Sequence, residues 1–209
     1  MSNTENCFSC SDCTTLNCGR QNSVYPEACL TEAVGLEQLD EIIRIYTEDT
    51  ETASIASAAA AVVAEGYGKL NRVEEIAAFA KSLGAKKVGI ASCIGLVKET
   101  RIFVEYLKSQ GLESYSVLCK VGAIDKSKIG LPKKKETHES ICNPVLQARL
   151  LAQQKTDLNV IIGLCVGHDS LFIKYSKAPV TYLIVKDRVF GHNIPAALAK
   201  VSEGLQAAK

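Results

Sequence analysis

The alternation of short apolar runs with helical patterns after residue 85 predicts an α/β fold: an open, mostly parallel Rossmann-like sheet of about four strands with flanking helices. Two further observations support it. Leu158 to Leu164 (LNVIIGL) is apolar at both alternating sets of positions, as a strand covered on both faces must be. Each run is also separated from the next by enough chain for a helical crossover, and such crossovers are right-handed. A small cysteine-rich metal-binding segment and a helical region precede this body, so the expected division is 1–30 and 31–209.

Residues 1–30 are polar and show no sustained apolar periodicity. Leu36, Leu39, Ile42, Ile43 and Tyr46 then recur at three- and four-residue steps, which predicts a helix with one buried stripe. Alanine-rich Thr52 to Glu65 predicts a second helix, stopped at Gly66 and Gly68. Asn71 is placed to cap the next, with Val73, Ile76, Ala77 and Ala80 facing the core and Gly84 ending it. Strand Lys86 to Ala91 leads to helix Val97 to Ser109, closed by Gly111, and then to strand Tyr115 to Lys120 (YSVLCK). Asn143 and Pro144 read as N-cap and first helical residue of a helix reaching about Lys155. Strand Leu158 to Leu164, helix Asp169 to Ser176, strand Val180 to Val185 and helix Ile194 to Leu205 complete the pattern.

Lysine plus arginine total 24 against 23 acidic residues, so net charge offers no case for nucleic-acid or anionic-membrane binding. The opening MSNTENCFSC lacks the apolar core of a secretory signal, and Ala53 to Ala64 is too short to cross a bilayer. The nine cysteines are odd in number and sit in a chain with an ordinary core composition. The expectation is a cytoplasmic protein whose thiols are reduced or hold metal.

Sulfur falls in two places. Cys10, Cys13, Cys18 and Cys29 follow C-x2-C-x4-C-x10-C, with Gly19 and Pro26 supplying turns. A C-x2-C pair offers two sulfurs to one ion from a single turn, and the later pair completes a tetrahedron. Zinc there would be a structural knuckle and iron a cluster site. Cys7 makes a second, overlapping C-x2-C, so the ligand set stays open.

In the body, Cys93 follows the first strand, Cys119 lies near the end of the second, Cys165 follows the third, and Cys142 immediately precedes Asn143–Pro144. The functional crevice of an open parallel sheet lies beyond its carboxyl ends. The four are therefore expected on one rim as a metal or redox site, near amides or helix N-termini that favour thiolate. A small buried residue is the plain alternative, above all for Cys119, which is free to point into a helix layer. His168, beside Asp169, is expected over the same crevice as acid, base or anchor, unless the pair is an N-cap Asp with a surface His. Lys120 is a second candidate for handling protons. His192 and Asn193 follow the last strand in the same topological position, and His138 sits in a polar loop. Lys126, Lys128, Lys133, Lys134 and Lys135 make that loop basic, as a lid for an anionic substrate or as a solvated segment. No aromatics interleave with them.

Several stretches together resemble a known family: Cys10-x2-Cys13-x4-Cys18 with Pro26-x2-Cys29, EGYGKLNRVEEI from Glu65, KKVGIASCIGL ending at Leu96, and CNP at Cys142. TDLNVIIGLCVGHD ending at Asp169 and APVTYLIVKDRVFGHN ending at Asn193 extend the resemblance over almost the whole chain. The family is DUF1847, uncharacterised metal-binding proteins of archaea and anaerobic bacteria. The resemblance implies metal binding and iron–sulfur chemistry without supplying a reaction, and it adds Glu65, Tyr67 and Arg72 as polar candidates for lining the crevice.

The leading expectation is two cysteine-ligated sites. Cys10, Cys13, Cys18 and Cys29 would hold a structural or electron-relaying metal. Cys93, Cys119, Cys142 and Cys165 would bind an iron–sulfur cluster, 4Fe–4S in type, or zinc, with a redox or Lewis-acid role. If three of the body cysteines ligate, the open iron would polarise a substrate while His168 or Lys120 manages protons. An electron-transfer partner or a small anionic substrate would follow. One alternative is a zinc-stabilised, non-enzymatic binding or sensing module. Another is a thiol-dependent redox enzyme, disfavoured because the body has no C-x-x-C pair.

Overall fold

The computed structural model describes residues 9–20, 24–26, 29–134 and 136–207, so Cys7 and Lys135 lie outside the described residues. It divides into two compact units, Met1–Ser57 and Ala58–Lys209.

The first unit holds two 3-10 turns, Cys10–Asp12 and Asn17–Gly19, then helix α1 (Leu30–Ala33) and helix α2 (Leu36–Glu48). Helix α3 (Thr50–Gly66) begins here and continues into the second unit. The α2 stripe is a correction to the sequence reading. Leu36, Leu39, Ile42, Ile43 and Tyr46 are all exposed, and α2 buries no residue. Periodicity fixed the helix correctly, but burial needs a facing layer, and among the described residues this unit contains no sheet to supply one.

In the second unit, α4 (Arg72–Ser82) starts from a reciprocal cap. Asn71 Oδ1 accepts from the Val73 and Glu74 amides, and the Glu74 carboxylate accepts from the Asn71 amide at 2.8 Å. Then follow β1 (Lys87–Ser92), α5 (Val97–Ser109), β2 (Glu113–Leu118), α6 (Pro144–Gln153), β3 (Leu158–Ile162), α7 (His168–Tyr175), β4 (Val180–Ile184) and α8 (Ile194–Ala207). All strand pairs are parallel and the order is β2-β1-β3-β4. Strand β2 starts two residues before the expected Tyr115, pairing Glu113 with Lys87. It is an edge strand with a mostly exposed, polar pattern, so apolar content understates its beginning. The shift leaves Cys119 just past the strand.

Side chains from α4 and α5, among them Ile76, Ala80, Phe103 and Leu107, cluster with Val88, Ile90, Val160 and Ile162. Ala148, Leu151 and Phe172 from α6 and α7 cluster with Ala91, Val117 and Ile161. Strand β3 is buried throughout, as a strand between two layers requires. The amino ends are tied by Asp157, whose Oδ2 accepts from the Lys86 and Lys87 amides at 2.8 and 2.9 Å. The carboxyl ends are different. With β1 flanked by β2 and β3, the chain reverses its winding between β1 and β3, which opens a crevice at that edge. No helix among the described residues is long and apolar enough to cross a membrane.

A cysteine rim at the carboxyl edge

Main-chain bonds bring three body cysteines together. The Cys93 amide donates to Ile162 O at 3.0 Å, the Cys119 amide to Ser92 O at 2.8 Å, and the Asn143 amide to Cys119 O at 2.7 Å. The segment before α6 is thereby laid against the end of β2. Asn143 then caps α6 through its Oδ1, which accepts from the Leu146 amide.

Cys119 is buried at the strand end and packs, with Cys93, in the same cluster as Ala148 and Leu151 of α6 and Phe172 of α7. Its Sγ accepts from the Ile94 amide at 3.3 Å, and its thiol interacts with that of Cys142. That interaction, with the charges of Lys120 and His168, holds the Cys142 thiol down to about 5 against the opposing effect of burial. The same interaction and burial push Cys119 far up, as do the neighbouring charges of Cys142 and Cys93. Of the pair, Cys142 carries the charge and Cys119 the proton. Lys120 Nζ also donates to Ser140 O at 2.6 Å, which anchors it beside Cys142.

Cys165 lies beyond β3, and its Sγ accepts from Arg188 Nη2 at 3.0 Å. The guanidinium is held further in its charged form by that bond and by the charges of Cys165, Cys93 and Cys142. Gly163, with φ of +60°, has no room for a side chain, since a Cβ would run into the Leu96 methyl. Glycine there lets the chain leaving β3 pack closely against Leu96, in the 3-10 turn Ile94–Leu96 that follows Cys93.

Two rim residues escape a reading of the sequence. Gln147, fully buried on α6, donates through Nε2 to Val117 O at 2.7 Å and to Ser92 O at 3.2 Å, pinning the last turns of β1 and β2. An amide on an otherwise apolar helix face was its only signal. Arg188 follows β4, in the position where strand ends deliver function, but histidine drew attention there instead. His192 proves to be a brace: its Nδ1 accepts from the Asp187 amide at 2.9 Å. Asn193 caps α8 through a bond from the Ala196 amide.

His168 opens α7, acts electrostatically on Cys142, and its buried Nδ1 has no partner among the described residues. The N-cap is Gly167. Asp169, one position inside the helix, accepts from the Gly167 and Ser170 amides. His138 stays in its loop, against Ser140 and Asp125. The basic loop is folded on its own acids. Lys126 pairs with Glu139 at 2.6 Å and Lys133 with Asp125 at 3.2 Å, and Asp125 also accepts from the Ser127 and Glu139 amides. Arg72 lies along β4, donating to Tyr182 O and Thr181 Oγ1, and Tyr67 is exposed.

In the first unit Cys10 and Cys18 are exposed, Cys13 is half-buried and Cys29 is buried. The Leu16 amide reaches Cys13 Sγ at 3.5 Å and, with Thr15, lowers that thiol from its ordinary value. Among the described residues, no three His, Cys, Asp or Glu side chains gather closely enough to hold a metal ion.

The fold and rim define an α/β, Rossmann-like protein with cysteines on the carboxyl edge of its sheet. The model of a family described as "Protein of unknown function (DUF1847)" matches residues 29–183. An uncharacterized protein of Methanocaldococcus jannaschii, MJ0455, is 48% identical over 159 residues, covering 76% of this chain and 81% of that one. The chain belongs to the DUF1847 family. The matched span takes in Cys29 and all four rim cysteines, whereas Cys10, Cys13, Cys18 and Arg188 fall outside it.

Proposed function

We propose that this protein works through the thiols of its rim, as a dithiol that takes up and passes on two electrons in a reducing, cytoplasmic setting. The observation that carries the reading is the Cys119–Cys142 pair, a buried thiol laid beside a second thiol that Lys120 and His168 draw toward its charged form. No C-x-x-C is needed when the return from β2 to α6 lays residues 119 and 142 side by side. The Cys142 thiolate attacks one sulfur of a disulfide substrate, breaking its S–S bond and releasing one half as thiolate. Cys119 then attacks the mixed disulfide, and its proton leaves with the second half as thiol. The substrate is reduced, and Cys119 and Cys142 end joined as a disulfide.

The test is alkylation at Cys142 with iodoacetamide, located by peptide mass, from pH 4 to 9. The rate is expected to hold from pH 9 to 6 and to halve near pH 5, because Cys142 stays ionised to about 5. An ordinary thiol slows about tenfold per pH unit below its pKa. A stabilised thiolate is intrinsically less nucleophilic, so the advantage is small at pH 7 and about tenfold at pH 6. Titration of Cys142 like a free thiol would sink the proposal.

A second reading has its own observation. Thiols from four chain segments reach one edge, and Cys119 senses charge on both Cys93 and Cys142. Cys93, Cys119, Cys142 and Cys165, and separately Cys10, Cys13, Cys18 and Cys29, are soft donors of the type that an iron–sulfur cluster or zinc takes, and each set would have to draw together to hold one. A bound cluster would supply redox or Lewis-acid chemistry. Iron, zinc and acid-labile sulfide per chain, measured on protein purified without oxygen, decide between the readings. Iron with matching sulfide, and Cys142 shielded from alkylation, favours the cluster. Zinc that survives removal of the rim cysteines favours a metal-stabilised binding or sensing module.

A further inference from the structure

We infer that the rim receives an anionic sulfur compound, a small disulfide bearing a carboxylate, whose acid group is held by Arg188. The inference rests on the dithiol reading above and adds the substrate class to it. Its first support is placement. Arg188 is exposed, yet its side chain is drawn onto the rim by its bond to Cys165, and it acts electrostatically on Cys93 and Cys142 as well. One of the five donors of a guanidinium is used there, and the remaining fork suits a carboxylate.

The loop that carries it is built beforehand. Asp187 Oδ1 accepts from the Val189 and Phe190 amides at 2.7 and 3.0 Å, and His192 closes the loop by accepting from the Asp187 amide while donating its own to Asp187 O. His192 takes a φ of +71° to do so. Neighbouring acids are committed elsewhere, Asp187 to those amides and Asp169 to the Gly167 and Ser170 amides. Lys120 adds a second cation beside Cys142. The loop lysines that the sequence offers as an anion lure are a poorer choice, because Lys126 and Lys133 already answer Glu139 and Asp125. An anion on Arg188 would set a sulfur a few bonds away beside the thiolate that attacks it.

The experiment uses the reduced full chain and two chromogenic disulfides, dianionic 5,5′-dithiobis(2-nitrobenzoate) and neutral 4,4′-dithiodipyridine. Exchange at Cys142 is located by peptide mass, and each rate is divided by that of a small free thiol. The anionic-to-neutral ratio should exceed the free-thiol ratio about tenfold, the weight of one charge-assisted hydrogen bond. Arg188→Gln should return it to the free-thiol value. Arg188→Lys, which keeps the charge and loses the fork, should retain part of it. Lys128→Gln, in the exposed loop, should leave it unchanged, showing that net charge alone is not responsible. An unchanged ratio in Arg188→Gln overturns the anion inference, while continued reaction of the neutral probe at Cys142 leaves the dithiol reading standing. If the neutral probe meets no more than ordinary reactivity at Cys142 at pH 6, the dithiol reading falls and this inference falls with it.

Discussion

The two sulfur-rich regions reach proximity by opposite routes. Near the N-terminus the thiols are neighbours in sequence, spaced by two and four residues, and the turns around them leave Cys10 and Cys18 exposed. On the rim the thiols are far apart in sequence, and each is delivered by the end of a strand or the start of a helix. Their partners are fixed by the same main-chain bonds that hold the sheet. Close spacing along the chain leaves Cys10 and Cys18 on the surface, whereas strand ends fix the backbone of Cys93 and Cys119.

Three experiments sharpen or break this contrast, in decreasing order of effect. Phe172, wholly buried beneath the rim, should cost about 3–5 kcal/mol when changed to Ala, read by urea unfolding. The fast reaction of Cys142 should fade with it. A variant of normal stability would show that α7 does not support the rim. Gln147→Ala should cost about 1–3 kcal/mol, because Val117 O loses the short bond from the amide and Ser92 O is left with the Cys119 amide alone. Cysteine chemistry unchanged in that variant would mean that the strand ends keep their places without the amide.

Cys119→Ala is the mildest in stability and the most direct in chemistry. Without the Cys119 thiol, the Cys142 titration should move up from about 5 toward the ordinary thiol value, as followed by thiolate absorbance. The sign for stability follows. Cys142 is lower in the folded than in the unfolded chain, so its ionisation adds stability as pH rises from about 5 to 9, and that share is lost as pH falls through 5. Cys119 is raised on folding and works the other way, removing stability above pH 9. A titration of Cys142 that ignores the substitution would break the proposed pairing.

Most of the architecture was readable from the residues. Apolar runs and glycine stops marked the strands and helices of the second unit to within a few residues, because a buried parallel strand must be apolar throughout. Asn71 and Asn143 marked helix starts through their own side-chain bonds. The topological rule also placed Cys93 and Cys165 at strand ends. What stayed hidden depended on contacts across long separations. Cys119 and Cys142 are brought side by side by the Asn143 amide bonding Cys119 O across a loop that folds on Asp125 and Glu139, and lysine counts do not reveal that. Arg188 was invisible for a related reason, since its worth comes from a loop closed by an unremarkable Asp and His. Periodicity likewise gave α2 its stripe but not its surroundings.

Asp157 has a wider consequence. One carboxylate secures the Lys86 and Lys87 amides at the start of β1, so one end of the sheet is tied by a group that lies opposite the thiols. A lineage built this way is free to exchange the residues at its strand ends, and with them its reaction, one substitution at a time. Scaffold and chemistry become separately evolvable, and relatives sharing this backbone need not share a substrate.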